Sequence, residues 1–285
     1  MKRIGGTFFI KKVPPKKYFL CVLRVLCVEK YFFGVLMKDP LLAILKKGIV
    51  TQREICPDLP DTAYGLPRVT QSVCNGCGAC SQVCPTQAIT VMQDSAGGII
   101  SLDRGLCVGC QACIKVCPAN VIVTDYSTRT ATKTREELVL TNRSCVKEKE
   151  IKTSSIFMRS LAIREVSTGC NATDQEVNVS ANPVFDLGRF GAHFVASPRF
   201  ADALIVTGPV GKAMREPLVR CYKAMAEPKL VIAVGTSAIS GGLHRGGYAE
   251  ANGVEGILPV AAYVPGAPPH PWSIIHGVLT AMGRK

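Results

Sequence analysis

Histidine is scarce in this chain. Four occur in 285 residues, at His193, His244, His270 and His276, and none sits at metal-ligand spacing from another. A dinucleotide loop is also missing. Gly235 to Gly242 follows an apolar stretch but lacks the G-x-G-x-x-G spacing and the acidic residue after it. No clean apolar run is long enough to cross a membrane, because Tyr18 to Met37 is broken by Arg24, Glu29 and Lys30. No small-residue cleavage site follows that run, so a signal peptide is not expected. Acidic residues are few, 21 against 34 basic ones, for a formal charge of +13. Residues 1–36 hold eight basic residues against Glu29 alone, so only +6 belongs to the rest. With no nucleic-acid module in view, that balance does not point to nucleic acid.

Cysteine is what the chain has in quantity: fourteen, eight of them between Cys74 and Cys117. Cys74, Cys77, Cys80 and Cys84 precede Pro85; Cys107, Cys110, Cys113 and Cys117 precede Pro118. Each run reads C-x2-C-x2-C-x3-C-P, the bacterial ferredoxin spacing. Three close thiolates face one cubane, and the fourth, before proline, reaches the other. Cys74, Cys77, Cys80 and Cys117 are therefore expected to hold one [4Fe–4S] cluster. Cys107, Cys110, Cys113 and Cys84 are expected to hold the second. Zinc would want two separated C-x2-C knuckles, not two runs of four closed by proline. Disulfides are not needed in a chain with a sizeable core, and this much free cysteine implies a reducing compartment. Gly76, Gly78, Ala79, Gly109 and Ala112 are small enough to let backbone amides approach the sulfurs.

The two runs form an internal repeat. Residues 74–91 and 107–124 match at nine of eighteen positions, offset by 33. Each half continues into an apolar strand, at 88–91 and 121–124. Asp94 to Gly98 reads as a turn into a partner strand at 99–102.

Around this unit the chain divides further. Residues 1–36 are expected to be an extension, with translation starting at Met37; a membrane-surface helix is the alternative. From Met37, Asp39 can cap a helix, Pro40 suits its first turn, and Leu41, Leu42, Ile44 and Leu45 give an apolar face ended by Gly48. That face must dock, either on this chain or on a partner subunit. Residues 51–73 read as an extended connector. Residues 125–155, polar and carrying the charged run 147–150, read as an interdomain linker with a helix at 134–140. Cys145 is expected to be a bystander there.

From Phe157 apolar segments alternate with turns. Strands are expected at 203–206, 230–234 and 258–264, and helices at 211–226 and 270–282. Met214, Leu218, Cys221, Tyr222 and Met225 share one helix face, which makes Cys221 a packing residue. The expected fold is an α+β ferredoxin-like 2[4Fe–4S] domain at 74–124. An α/β domain with a small parallel sheet, flavodoxin-like, follows at 156–285.

Four blocks in that second domain resemble a known family. They are residues 159–174, with Thr168-Gly169-Cys170; residues 189–209, closing on Thr207-Gly208-Pro209; residues 228–242, with Ser240-Gly241-Gly242; and residues 264–271, with Pro268-Pro269. Together they resemble the small subunit of membrane-bound [NiFe] hydrogenases and the 20 kDa subunit of NADH:quinone oxidoreductase. The front half resembles the ferredoxin subunit of the same complexes, so the chain looks like two neighbouring subunits fused. In that family the small subunit holds a proximal [4Fe–4S] cluster through four cysteines. The matching positions here read Cys170, Thr173, Ser237 and Ala267, which implies that no proximal cluster forms and points to an energy-converting-hydrogenase-related branch.

The resemblance implies an electron-transfer subunit of a membrane-associated complex, passing electrons through two [4Fe–4S] clusters, with no catalytic residue of its own. The implied partners are a hydrogenase-large-subunit-like protein, membrane antiporter-like subunits and a soluble electron donor. The implied place is the inner face of the cytoplasmic membrane. A large-subunit-like partner would meet the face made by residues 168–176, 236–242 and 265–270. A non-catalytic assembly or redox-sensing module is the alternative. A standalone soluble oxidoreductase is disfavoured because no substrate or flavin site is visible.

Overall fold

The computed structural model describes Gly48 and residues 51–95, 97–143 and 155–284. The start at Met37, the amphipathic helix after Asp39, Cys145 and the charged run at 147–150 lie outside them. The chain divides after Val50, and residues 51–285 form one unit.

The cysteine repeat folds as its sequence repeats. The first half runs through helix α1 (Ala79–Gln82) into strand β2 (Ile89–Asp94), and the second through α2 (Ala112–Val116) into β4 (Ile122–Asp125). Matched positions adopt matched left-handed backbone: Gly76 and Gly109 have φ of 70° and 69°, Gln87 and Asn120 of 54° and 48°. β3 (Gly97–Asp103) pairs antiparallel with β2, with Met92 opposite Ile99, as the alternating residues predict. The core of this half is built from Cys74, Cys80 and Cys113 with Ile89, Ile100, Leu102, Val121 and Ile122. A core with three cysteines among its eight buried residues leans on whatever those thiols bind.

Two segments differ from the sequence expectation. The connector at 51–73 ends in strand β1 (Leu66–Val69), which pairs antiparallel with β4. Buried Arg104 fastens this pair: its Nε donates to the Pro67 carbonyl at 3.1 Å and its Nη2 to Asp125 at 2.5 Å. Asp125, the first residue of the expected linker at 125–155, closes β4, and residues 126–143 are folded too. Glu136–Leu138 forms a 3-10 turn in place of the expected helix, and β5 (Val139–Thr141) joins β3 as a third strand. Val139, Leu140 and Thr141 suit a strand. Asn142 adds two bonds to the edge of β3, donating to Gly98 O at 3.0 Å and accepting from Ile100 N at 3.1 Å. Polar composition hid this pairing.

The second half is a five-stranded parallel sheet. Its strands are β6 (Leu161–Ser167), β7 (Ala192–Phe194), β8 (Ala203–Thr207), β9 (Leu230–Val234) and β10 (Ala262–Val264), ordered β7-β6-β8-β9-β10. The expected strand at 258–264 is confined to its last three residues. β8 is buried throughout, as its unbroken apolar run predicts. Its side chains alternate between two cores. Ala203 and Ile205 face one with Ile163, Ile232, Val234 and Trp272; Leu204 and Val206 face the other with Val231, Ala233 and Leu218. The first core is covered by α3 (Asn171–Ser180) and α6 (Pro271–Ala281), the second by α4 (Lys212–Lys223). On α4 only Leu218 is fully buried; Cys221 is half-buried and packs against that core. The short helix α5 (Thr236–Ser240) follows β9 directly. Among the described residues no helix is long and apolar enough to cross a membrane.

Candidate metal centre

The two cysteine runs meet in crossed fashion. Cys84, from the first repeat, lines one cavity with Cys107, Cys110 and Cys113 of the second. Ala88, Ile89, Leu102 and Val108 are among the residues that make the rest of its wall mostly apolar. Burial pushes the Cys113 thiol up to about 12, with Cys107, Cys110 and Cys84 adding to it. Burial likewise pushes Cys107 up to about 11; an N–H bond from Gly109 opposes this, and Cys84 and Cys110 add to it. In the first group burial raises Cys80, and its next largest cause is Cys117 of the second repeat, with Cys74 also contributing. Thiols so crowded and desolvated resist ionising alone; a cationic iron core would reverse that preference.

Backbone amides point at the sulfurs. Gly76 N donates to Cys74 Sγ at 3.3 Å, Ala88 N to Cys84 Sγ at 3.2 Å and Gly109 N to Cys107 Sγ at 3.4 Å. Gly98 is required beside Cys74: a Cβ there would lie 2.9 Å from its sulfur and 2.8 Å from the Gly76 backbone. Cys77 and Cys110 are exposed, each on its loop's solvent side. Among the described residues no three His, Cys, Asp or Glu side chains converge on a single ion. A cubane takes one thiolate per iron, so its four ligands surround a cluster and not a point. The apolar cavity, the sulfur-directed amides and the four-thiol donor set fit such a cluster.

The α/β half has a second site of different character. Cys170 Sγ lies 3.1 Å from Thr173 Oγ1, the latter buried. A Cβ on Gly235 would stand 3.0 Å from that hydroxyl. Thr236 N donates to Gly266 O at 2.8 Å, which draws the start of α5, carrying Ser237, to the loop carrying Ala267. Ala267 is exposed and Ser237 half-buried. Next to this site, at the carboxyl ends of β6 and β8 where the strand order reverses, Asp174 accepts from Ser167 at 2.5 Å and from Thr207. Glu165 on β6 is pushed up to about 7 by burial, then by the Asp174 charge, and its Oε1 is buried without a partner. Nothing in the sequence marked Glu165, because its environment is assembled from distant strands.

Residues 170–281 match the family described as NADH ubiquinone oxidoreductase, 20 Kd subunit, and residues 73–121 match the 4Fe-4S dicluster domain. An uncharacterized protein of Methanocaldococcus jannaschii is 41% identical over 122 residues, 42% of this chain and 82% of that protein. The chain belongs to the 20 Kd subunit family. Two further relatives of this kind agree. Formate hydrogenlyase subunit 7 of Escherichia coli is 40% identical over 115 residues, covering 40% of this chain and 45% of that one. An NADH-quinone oxidoreductase subunit of Rubrobacter xylanophilus is 51% identical over 96 residues, covering 33% and 38%. The chain thus spans less than half the length of these two relatives, and joins a dicluster domain to its family-matched α/β half.

Proposed function

We propose that this chain is an iron–sulfur electron-transfer subunit of a membrane-associated complex of the hydrogenase or NADH:quinone oxidoreductase kind. In this reading residues 74–124 carry two [4Fe–4S] clusters. Cys74, Cys77, Cys80 and Cys117 hold the first; Cys84, Cys107, Cys110 and Cys113 hold the second. The observation that carries it is the single cavity lined by Cys84 together with three cysteines 23 or more residues away. Bound there, the clusters would supply one-electron transfer at low potential. The chain's own part is to bind them by thiolates, tune them by N–H groups on sulfur, and keep water from the buried thiols.

The α/β half, with sheet order consistent with a flavodoxin-like architecture, holds no cluster of its own in this reading. Thr and Ser are poor iron–sulfur ligands and Ala267 offers none. It serves as the surface for a large-subunit-like partner, through residues 168–176, 236–242 and 265–270. The complex would lie on the inner face of the cytoplasmic membrane, beside antiporter-like subunits, and draw on a soluble donor. Purification of the native chain from detergent-solubilised membranes tests this. We expect a large-subunit-like protein and membrane subunits to co-purify in fixed ratio. Recovery of a stable chain only from the soluble fraction, never with membrane subunits, would overturn it.

A further inference from the structure

The two cluster loops are held differently at equivalent positions. In the first repeat the Cys74 carbonyl accepts from Gly98 N at 2.9 Å, within the same half, and Gln93 Nε2 donates to Gly76 O at 3.4 Å. In the second repeat the matching carbonyl, that of Cys107, accepts from the Thr236 hydroxyl of α5 at 2.8 Å. Two residues earlier, the Gly105 carbonyl accepts from Ser240 Oγ, also on α5, at 2.7 Å. Both hydroxyls are buried. From the other side Asp103 accepts from Gly105 N at 2.8 Å and is gripped by Arg135 through two bonds of 2.8 and 2.6 Å. The second loop is thus fixed by the α/β half, where the first is fixed by its own hairpin.

We infer that Thr236, supported by Ser240, is a positioning residue for the cluster held by Cys84, Cys107, Cys110 and Cys113, and sets that cluster's potential from the other half of the chain. The route is short. The Thr236 bond fixes the peptide that follows Cys107, and the next amide, Gly109 N, donates to Cys107 Sγ at 3.4 Å. An N–H on a ligand sulfur favours the more electron-rich, reduced cluster. Loosening the peptide weakens that bond and lowers the potential. Replacing Thr by Val keeps the volume, so water does not enter to offset the change, while the buried Cys107 carbonyl loses its donor. None of the hydrogen bonds made by the Thr236 and Ser240 hydroxyls reaches Cys74, Cys77, Cys80 or Cys117.

This inference rests on the two-cluster reading. The test is an anaerobic redox titration of reconstituted full-length wild type, Thr236→Val and Thr236→Ser, followed by electron paramagnetic resonance, with iron assayed in each. We expect one midpoint to fall in Thr236→Val while the other stays, and Thr236→Ser to keep both wild-type values. If Thr236→Val fails to take up iron, Ser240→Ala decides by the same titration, with a fall in one midpoint expected: it keeps the Thr236 side chain and removes the bond to Gly105 O, together with those to Thr236 O and from Gly242 N within the α/β half. Unchanged midpoints, or both moving together in a variant with its full iron, would overturn the inference. Wild-type iron far from about eight per chain would remove the two-cluster reading itself, a failure read from the iron assay alone.

Discussion

Glu165 is the residue where the α/β half departs furthest from ordinary chemistry. Its carboxyl is raised from 4.5 to about 7, by burial first and then by Asp174. The folded protein therefore prefers the neutral acid. A raised carboxyl contributes stability that is fully present below about 4.5 and is lost as pH rises through about 7. Because the side chain keeps some contact with water, the effect is on the order of 1 kcal/mol, less than the full shift implies. Glu165→Gln should match wild type near pH 5 and exceed its stability near pH 8, by denaturant unfolding at both pH values. An equal difference at the two pH values would show that the carboxyl does not titrate in this window. The eight cysteines of the repeat and the dicluster match at 73–121 were legible because the cysteines recur at fixed short spacing. Thr236 and Ser240 were not, because their partners, Cys107 and Gly105, are 129 and 135 residues away.

Among elements, β5 and the turn before it carry the clearest lesson. Residues 126–143 look like a linker by composition, yet they bind both halves. Thr132 exchanges backbone bonds with Tyr263 at 3.0 and 2.8 Å, and Arg135 joins Asp103 of β3 with Glu255 of the α/β half, the latter at 3.7 Å. Arg135 and Asp103 are both about four-fifths buried, with side chains 19% exposed. Removing one partner strands the other, so Arg135→Ala should cost about 2–3 kcal/mol and expose this segment to trypsin. Unchanged unfolding and unchanged cleavage would return the segment to linker status. The parallel strands were easier to read: β8 and β9 are continuous apolar runs, and burial on both faces demands that. β5 is three residues long and gains its place from non-local backbone pairing with β3 and the Asn142 bonds beside it, which no local period reveals.

At the scale of the molecule, the ferredoxin-like half and the α/β half share buried hydrogen bonds, an ion-pair network and a backbone bridge. The family match at 170–281 and the dicluster match at 73–121 fall on these two halves. In the α/β half, Thr173, Ser237 and Ala267 stand where the resemblance implies thiolates. The central claim is therefore a division of labour: two clusters in the cysteine repeat, none in the α/β half, and a loop that lets the second half act on the first. Iron and acid-labile sulfide in the full-length chain, reconstituted anaerobically, test it most directly. The expected result is about eight of each per chain, from two four-iron clusters. About twelve of each would mean a third cluster in the α/β half and would contradict the account.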